Sequence, residues 1–442
     1  MHDAGNGEGH SKLARRSVLV GASALGATAV LGCPRSSGVN PGQPRTGFSR
    51  AGLDRMHVTM AAHVERGDLP GVVTLLSRGN EVHAEALGSL AFGGAAPMQR
   101  NTLFRIASMT KPLAGAATMM LVEEGKLRLD EPVDRLLPEL ANRRVLKRLD
   151  GPVDDTVPTH RPILVSDLLT LRMGTGAIMA QGEYPIVRAM TELGVAVGPW
   201  LPKAPSPDAW LRNLGSLPLI RQPGEAWLYD TGITVLGVLL SRASGQPLET
   251  FFRERLFQPL GMVDTGFSVP AGNLDRLATC YFRNPATGKF EVFDAAGADS
   301  QFSRPPGFPS AAGGLVSTAD DYLAFARMML NKGEHGGKQL LSQRSVELMT
   351  TDHITPEQKA VSPFVPGFWD KRGWGYALSI IRQHEPGEPR GFGWDGGYGT
   401  SSYWDPQTGL IGVLMTQRVM DSPNPPAAFV DFWRSAYESI EG

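Results

Sequence analysis

The stretch F-R-I-A-S-M-T-K at residues 104–111 contains the one serine in the chain that stands three residues before a lysine, Ser108 before Lys111. Apolar residues at helical spacing follow, so a helix is predicted to run from Ser108 to about Glu124 and to end at Gly125. Residues three apart share a helix face, so hydroxyl and amine can meet. A serine in the first turn also gains from the free N–H groups of the helix start, which favour negative charge.

The chemistry of this pair depends on its surroundings. A serine becomes a strong nucleophile when a neighbouring base takes its proton. A lysine does so only if its pKa falls from about 10.4 toward neutrality, through burial or a nearby cation, and the apolar residues after Lys111 favour burial. The alternative is an N-capping serine beside a solvated lysine, and chance alone produces one such spacing in a chain of this length.

Composition excludes several classes of protein. The 442 residues are 42% hydrophobic and 20% charged, with 43 Lys and Arg against 44 Asp and Glu. This balance is typical of a globular body with a large core and offers no basic excess for nucleic acid. The two cysteines, Cys33 and Cys280, and the nine scattered histidines show no metal-ligand spacing, so no metal site is expected.

The N-terminus has the order of a bacterial export signal. A twin arginine at 15–16 precedes a run of small and apolar residues that is too short to span a bilayer. Residues 1–33 are therefore predicted to direct export to the periplasm or cell envelope, with the twin-arginine route as one interpretation. V-L-G-C at 30–33 also resembles a lipoprotein cleavage box that would anchor the protein through a lipid on Cys33. The alternative is cleavage nearby, with Cys33 lost or unmodified.

The rest of the chain is predicted to be one folded body on a tether. Residues 34–47, rich in Pro, Gly, Ser and Arg, are typical of a flexible tether, and the body is expected at 48–442. Strand patterns lie near both of its ends, at 71–87 and 374–416, and helical patterns fill the middle. The expected fold class is α/β of the α+β type: an antiparallel sheet flanked by helices, with a helical lobe at about 130–313 and a ligand cleft beside it.

Two further motifs follow the serine–lysine pair. L-Y-D-T at 228–231 places Tyr229 just before a predicted helix, and G-W-D-G-G at 393–397 enters the C-terminal strands. Taken alone, the tyrosine is more simply explained as a ring packed on the lobe. Glycines in a strand mark either a bulge or a close approach to a ligand.

These three motifs, in this order, resemble those of the class C β-lactamases, the related serine D-Ala-D-Ala peptidases and the family VIII carboxylesterases. The resemblance covers about 53–416 and is supported by strings such as R-P-I-L-V-S-D-L-L-T-L-R-M-G at 161–174 and G-G-L-V-S-T-A-D-D at 313–321. It implies a β-lactamase/transpeptidase-like fold, no metal, no cofactor, and a small-molecule substrate with an ester or β-lactam-like group.

The resemblance also implies roles for individual residues. Ser108 would be acylated by the substrate, Lys111 would assist its deprotonation, and Tyr229 would pass the proton to the leaving group. The backbone N–H groups of Ser108 and Gly397 would form the oxyanion hole, in which each donor typically contributes about 3 kcal/mol to the transition state.

Two departures from the β-lactamases bear on substrate choice. The tyrosine motif of those enzymes ends in Asn, whereas Thr231 has a shorter side chain and no amide. Their strand motif begins with a lysine that helps to hold the β-lactam carboxylate, whereas Trp394 begins it here, followed by Asp395 and Gly396. We expect these four residues to bind substrate. Indole offers a large apolar surface and no charge, and the esterase relatives show similar W-x-G segments, so the sequence favours a neutral, apolar ester.

The sequence therefore predicts a carboxylesterase that works through an acyl-enzyme at Ser108. A β-lactamase or a D-Ala-D-Ala carboxypeptidase on the same site is the nearest alternative. A non-catalytic cell-envelope binding protein would be marked by loss of the serine, lysine or tyrosine, and all three are present. An α/β-hydrolase would need a G-x-S-x-G elbow, which the sequence does not contain.

Overall fold

The computed structural model describes residues 47–197 and 205–441. The predicted export signal at 1–33, with Cys33, lies outside these residues, and so does the tether at 34–47 except for its last residue. Export, lipidation and the tether therefore stay predictions. Within the described ranges, no helix is both long enough and apolar enough to cross a membrane.

Strands and helices alternate irregularly along the described chain. The strands are β1 (Gly71–Arg78), β2 (Glu81–Gly88), β3 (Phe104–Arg105), β4 (Arg144–Leu146), β5 (Thr156–Pro158), β6 (Cys280–Arg283), β7 (Phe290–Asp294), β8 (Val316–Ser317), β9 (Glu334–His335), β10 (Lys338–Gln339), β11 (Arg372–Trp374), β12 (Ser379–Ile381), β13 (Phe392–Gly396), β14 (Thr400–Trp404) and β15 (Leu410–Thr416). The helices are α1 (Arg50–Glu65), α2 (Thr110–Glu123), α3 (Val165–Leu169), α4 (Pro185–Glu192), α5 (Pro207–Ser216), α6 (Thr231–Ser244), α7 (Leu248–Phe252), α8 (Gln258–Leu260), α9 (Ala319–Leu330), α10 (Gln343–Met349), α11 (Pro356–Ala360), α12 (Phe368–Lys371) and α13 (Ala427–Glu438).

The main sheet joins the two ends of the body. Its seven strands run in the order β11-β12-β13-β14-β15-β1-β2, and every neighbouring pair is antiparallel. The N-terminal hairpin is attached through β1 and β15, where Val73 lies opposite Met415. The predicted antiparallel sheet, built from strands near both ends of the chain and covered by helices, is confirmed.

Both faces of this sheet are buried, as the alternation along β1 shows. Val72 and Leu76 belong to the smaller apolar cluster, which the sheet forms with α1 and α13. Val73 and Leu75 point the other way, into the large cluster that includes α2 and α9. Side chains alternate between the faces of a strand, so β1, which is covered on both sides, is mostly apolar and lacks the polar alternation of a surface strand.

The middle of the chain holds the predicted helices and also short hairpins that the sequence patterns did not reveal. β4 pairs with β5, and β6 pairs with β7. The stretch from Trp374 to Ile381, which the pattern suggests is one strand, is divided between β11 and β12. The reason is local: Ala377 has a positive φ of 64°, and its N–H bonds to the carbonyl of Leu169, which turns the chain against α3.

A buried ion pair fixes the segment that leads to the nucleophile candidate. Arg105, on β3, donates from Nε to Asp294 Oδ2 over 2.5 Å and from Nη1 to the Ala278 carbonyl over 2.5 Å. The hydroxyl of Ser300 donates to the same carboxylate oxygen at 2.8 Å. Both charged side chains are almost fully buried. The β6–β7 hairpin is thereby held against β3, three residues before Ser108.

We expect Asp294→Asn to lower the free energy of unfolding by about 3 kcal/mol or more, because it leaves the buried Arg105 charge without its counter-charge. Urea or thermal unfolding measures the loss. Asp320→Asn is the matched control: it breaks the exposed Arg100–Asp320 pair at 2.7 Å and should cost less than about 1 kcal/mol. Equal losses in the two variants would contradict the anchoring role of Asp294.

Candidate active site

Ser108 lies in a tight turn rather than in the α-helix itself. Ala107–Met109 form a 3₁₀ turn, and α2 begins only at Thr110. Ala107 has a φ of 43°, a left-handed conformation that non-glycine residues adopt rarely. The turn is held from outside, because the Tyr322 hydroxyl donates to the Met109 carbonyl at 3.0 Å. The predicted helix start is therefore shifted by two residues, and Ser108 lies on the turn before it.

Lys111 is fully buried, and its amino group has three partners. Nζ lies 3.0 Å from Ser108 Oγ, 2.7 Å from the Ala312 carbonyl oxygen and 2.7 Å from Asp230 Oδ1. The structure thus brings together the hydroxyl and the amine of the 108–111 spacing. It also adds a carboxylate that the sequence did not lead us to expect in this place.

That carboxylate reverses the direction expected for the pKa shift of Lys111. Burial by itself lowers the pKa of Lys111, but the Asp230 carboxylate and the Tyr229 side chain raise it, and the net shift is upward. The expectation that burial carries this pKa toward neutrality is therefore wrong. The carboxylate therefore stabilises the protonated form of Lys111.

Tyr229 lies directly over this lysine. Its ring centroid is 4.6 Å from Lys111 Nζ, and its hydroxyl oxygen accepts a hydrogen bond of 2.7 Å from Trp394 Nε1. An indole N–H can only donate, so the tyrosine oxygen is the acceptor. The indole N–H and the lysine charge both stabilise negative charge on that oxygen.

Two other residues predicted to bind substrate, Thr231 and Asp395, lie in the wall of the site. Thr231, the first residue of α6, lines the same cavity as Ser108. Asp395 lines it too, but its carboxylate already accepts from Ser401 Oγ at 2.6 Å and from the Tyr403 hydroxyl at 3.1 Å. Burial raises the pKa of Asp395. Its contacts hold β13 to β14, and contact with substrate stays a prediction.

The two glycines after Asp395 differ in their surroundings. A Cβ on Gly396 would lie 2.3 Å from the Ile106 carbonyl oxygen and 2.2 Å from Thr400 Oγ1. Gly396 therefore lets β13 approach the segment before Ser108. Gly397 has open space around it and lines the cavity with Ser108, and its part in an oxyanion hole stays a prediction.

These residues open into a cavity of about 670 Å³. Most of its wall is apolar, and much of it is aromatic. The aromatic side chains are Trp210, Tyr229, Phe267, Phe293, Phe302, Phe308, Phe364, Phe368, Trp394 and Tyr398. In the described part of the chain, no group of three or more His, Cys, Asp and Glu residues could hold a metal ion.

Sequence reasoning missed Asp230 and the wall formed by residues 364–368. Asp230 stands inside the motif that was singled out, between Tyr229 and Thr231, so an acidic residue beside the tyrosine was a visible signal. Spacing could not show that its side chain returns to Lys111, because this depends on a positive φ of 83° at Asp230. The 364–368 segment carries no motif.

Comparison with known proteins gives the family. A family profile described as Beta-lactamase matches residues 58–430. This chain belongs to the β-lactamase family. The family and the geometry together make it a serine hydrolase of the β-lactamase fold, which confirms the resemblance drawn from the motifs.

Among relatives, an uncharacterised protein of Mycobacterium tuberculosis is 40% identical over 396 residues, covering 86% of this chain and 93% of its own. Esterase EstB of Burkholderia gladioli is 29% identical over 378 residues, covering 81% and 88%. Among solved structures, EstCE1, a hydrolase with promiscuous acyltransferase activity, superposes with a TM-score of 0.71 at 25% identity and covers 88% of this chain and 99% of its own.

We expect Gly396→Ala to lower kcat/KM by about 100-fold, because the added methyl group forces β13 away from the turn that carries Ser108, and small misplacements at a reacting centre have effects of this size. Steady-state hydrolysis of an activated ester measures it. Gly272→Ala is the control, since a Cβ there meets nothing within 4 Å. Wild-type kinetics for Gly396→Ala would show that the close approach does not matter.

Proposed function

We propose that this protein is a carboxylesterase that cleaves small or medium-chain esters through an acyl-enzyme at Ser108. The observation that carries the proposal is the contact between Trp394 and Tyr229. Where β-lactamases have a cationic lysine, this chain has an indole whose N–H is engaged by the tyrosine oxygen at 2.7 Å. At this position the wall therefore carries an aromatic ring and no cation.

The reaction would use the groups that meet in the cavity. Ser108 Oγ attacks the ester carbonyl carbon while its proton passes to the paired Lys111–Tyr229 groups. The negative oxygen of the tetrahedral intermediate is received by the N–H groups of Ser108 and Gly397. The bond to the alcohol oxygen then breaks, the alcohol leaves with the proton, and water hydrolyses the acyl-serine by the same steps in reverse order.

The cavity lining supports an apolar substrate. Aromatic rings from several segments line the same cavity as Ser108. They would remove apolar groups of a bound ester from water, a transfer that contributes about 25 cal/mol for each Å² buried. The relative named as an esterase, EstB, supports an ester as the class of substrate.

Two cations in the wall are the observation in favour of a β-lactamase or D-Ala-D-Ala carboxypeptidase, whose substrates carry a carboxylate. Lys371 and Arg372 both line the cavity. Lys371, however, pairs with Glu385 and Glu388 at 3.0 Å each. Arg372 donates to the Tyr403 hydroxyl at 2.8 Å. Because these cations already have partners, they are less available to a substrate carboxylate.

We expect Ser108→Ala to abolish hydrolysis of p-nitrophenyl butyrate while leaving the melting temperature unchanged, because it removes one hydroxyl and nothing else. The wild type should form a butyryl adduct that mass spectrometry locates on Ser108. Full activity in a folded Ser108→Ala protein would end the mechanism. Faster turnover of nitrocefin than of every ester tested would end the ester assignment while leaving the acyl-serine in place.

We expect Trp394→Lys to narrow the preference for esters over cephalosporins, mostly by lowering kcat/KM for esters, because one cation does not restore the amide that Thr231 lacks. Trp394→Phe keeps an aromatic ring and loses the N–H to Tyr229, so it should lower turnover of both substrates alike. kcat/KM for both substrates and the melting temperature of each variant separate these effects. If Trp394 only packs the wall, Trp394→Lys too will affect both substrates equally.

A further inference from the structure

Asp230 adopts a strained conformation next to the tyrosine of the site. Its φ and ψ are 83° and −60°, and the N–H of Thr231 bonds to the carbonyl of Tyr229 at 3.3 Å. These features define a tight three-residue turn of the rare, strained kind. Such a conformation is unfavourable by itself and persists only where the surrounding structure holds it. Here the Tyr229 carbonyl is also held by the N–H of Ala177 at 2.9 Å.

The turn delivers the Asp230 carboxylate to a buried cation. Oδ1 lies 2.7 Å from Nζ of Lys111, whose side chain is 0% exposed, whereas that of Asp230 is 22% exposed at the cavity wall. A buried ammonium without a counter-charge is strongly unfavourable. The charged or titratable groups that act on Lys111 are Asp230, on the turn before α6, and Tyr229, beside it. The remaining contacts of Nζ are the Ser108 hydroxyl and the Ala312 carbonyl.

Hydrogen-bond counting alone fits two protonation states of Lys111. An ammonium would donate to all three oxygens. A neutral amine would donate to Asp230 and Ala312 and would receive the Ser108 hydroxyl on its lone pair, which is the arrangement of a general base. The Asp230 carboxylate, 2.7 Å from Nζ, favours the first of these two protonation states. Its full negative charge attracts the ammonium, whereas it offers the neutral amine only a hydrogen bond.

We propose that Asp230 is a positioning residue that keeps Lys111 protonated, so that the oxygen of Tyr229 takes the proton of Ser108. The inference rests on the proposed acyl-serine chemistry. In it, Tyr229 reacts as its phenolate: the Ser108 O–H bond breaks, its proton passes to the phenolate oxygen, and Oγ forms a bond to the ester carbonyl carbon. When the bond to the alcohol oxygen breaks, the same proton leaves with the alcohol. Lys111 stays an ammonium throughout and stabilises negative charge on Ser108 and Tyr229.

The test is the pH dependence of kcat/KM in Asp230→Asn, a change that keeps the size of the side chain and tolerates a positive φ. Without the carboxylate, the lowering of the Lys111 pKa by burial is no longer offset by Asp230. The ammonium therefore loses its proton at a lower pH than in the wild type. We expect the alkaline limb of the profile to move to lower pH by about one unit or more. A neutral, basic Lys111 predicts the opposite: the acid limb would move to lower pH, and activity at low pH would rise.

Controls separate this effect from damage to the fold. Asp208→Asn removes an exposed carboxylate paired with Arg242 and should leave the profile unchanged. Asp230→Glu retains the charge, so it should keep the alkaline limb closer to that of the wild type than Asp230→Asn does, even if the strained turn lowers its rate. Melting temperatures are measured for every variant, and Asp230→Ser replaces Asp230→Asn if the latter does not fold.

A second readout keeps this inference distinct from the ester assignment. Labelling of Ser108 by a fluorophosphonate reports activation of the serine whatever the natural substrate is. If the wild type hydrolyses no ester but the alkaline limb of labelling moves to lower pH in Asp230→Asn, the ester assignment fails and the role of Asp230 stands. An unchanged labelling profile in Asp230→Asn, or an acid limb displaced to lower pH, would overturn the role of Asp230.

Discussion

Burial of one ammonium group constrains the whole site. Lys111 extends from α2 into the interior, where its side chain is fully buried, so its N–H groups need oxygen acceptors supplied by the protein. Those oxygens come from Ser108, Asp230 and Ala312, which are far apart in the sequence. The turn before α2, the turn before α6 and the loop before β8 must therefore converge on one point. The convergence places Ser108 where the cavity opens.

A tryptophan in the strand motif fits this electrostatic arrangement. A lysine in that position would place a second cation beside the Tyr229 oxygen and near the Lys111–Asp230 pair. The indole of Trp394 supplies a donor to the tyrosine without a further charge. It also packs edge-to-face on Trp374, with ring centroids 4.9 Å apart, so the donor is held in place by the aromatic wall. One cation and one neutral donor then act on Tyr229, which suits a substrate without a carboxylate.

The sequence predicted the architecture and the three motif residues, but it did not predict the side chains that surround those residues. Strand patterns at both ends predicted the sheet, because alternation and apolar runs depend on local geometry. Ser108 and Lys111 were found from their spacing, and Tyr229 was found from the order of the three motifs that the family shares. Asp230 was passed over because its contribution depends on one backbone dihedral angle. The division of the stretch from Trp374 to Ile381 was missed because it depends on a contact between Ala377 and distant α3.

Strain and buried charge are concentrated on the two sides of the same lysine. Ala107, next to the serine, and Asp230, next to the tyrosine, both have positive φ, and both lie in turns that lead into helices. Neither conformation is favourable by itself, so each must be held by its neighbours. On one side the Arg105–Asp294 pair fixes the strand before the turn, and on the other the Lys111–Asp230 pair fixes the turn itself. The ion pair that satisfies the buried lysine therefore also holds the tyrosine above it, which ties the geometry of the site to its charge state.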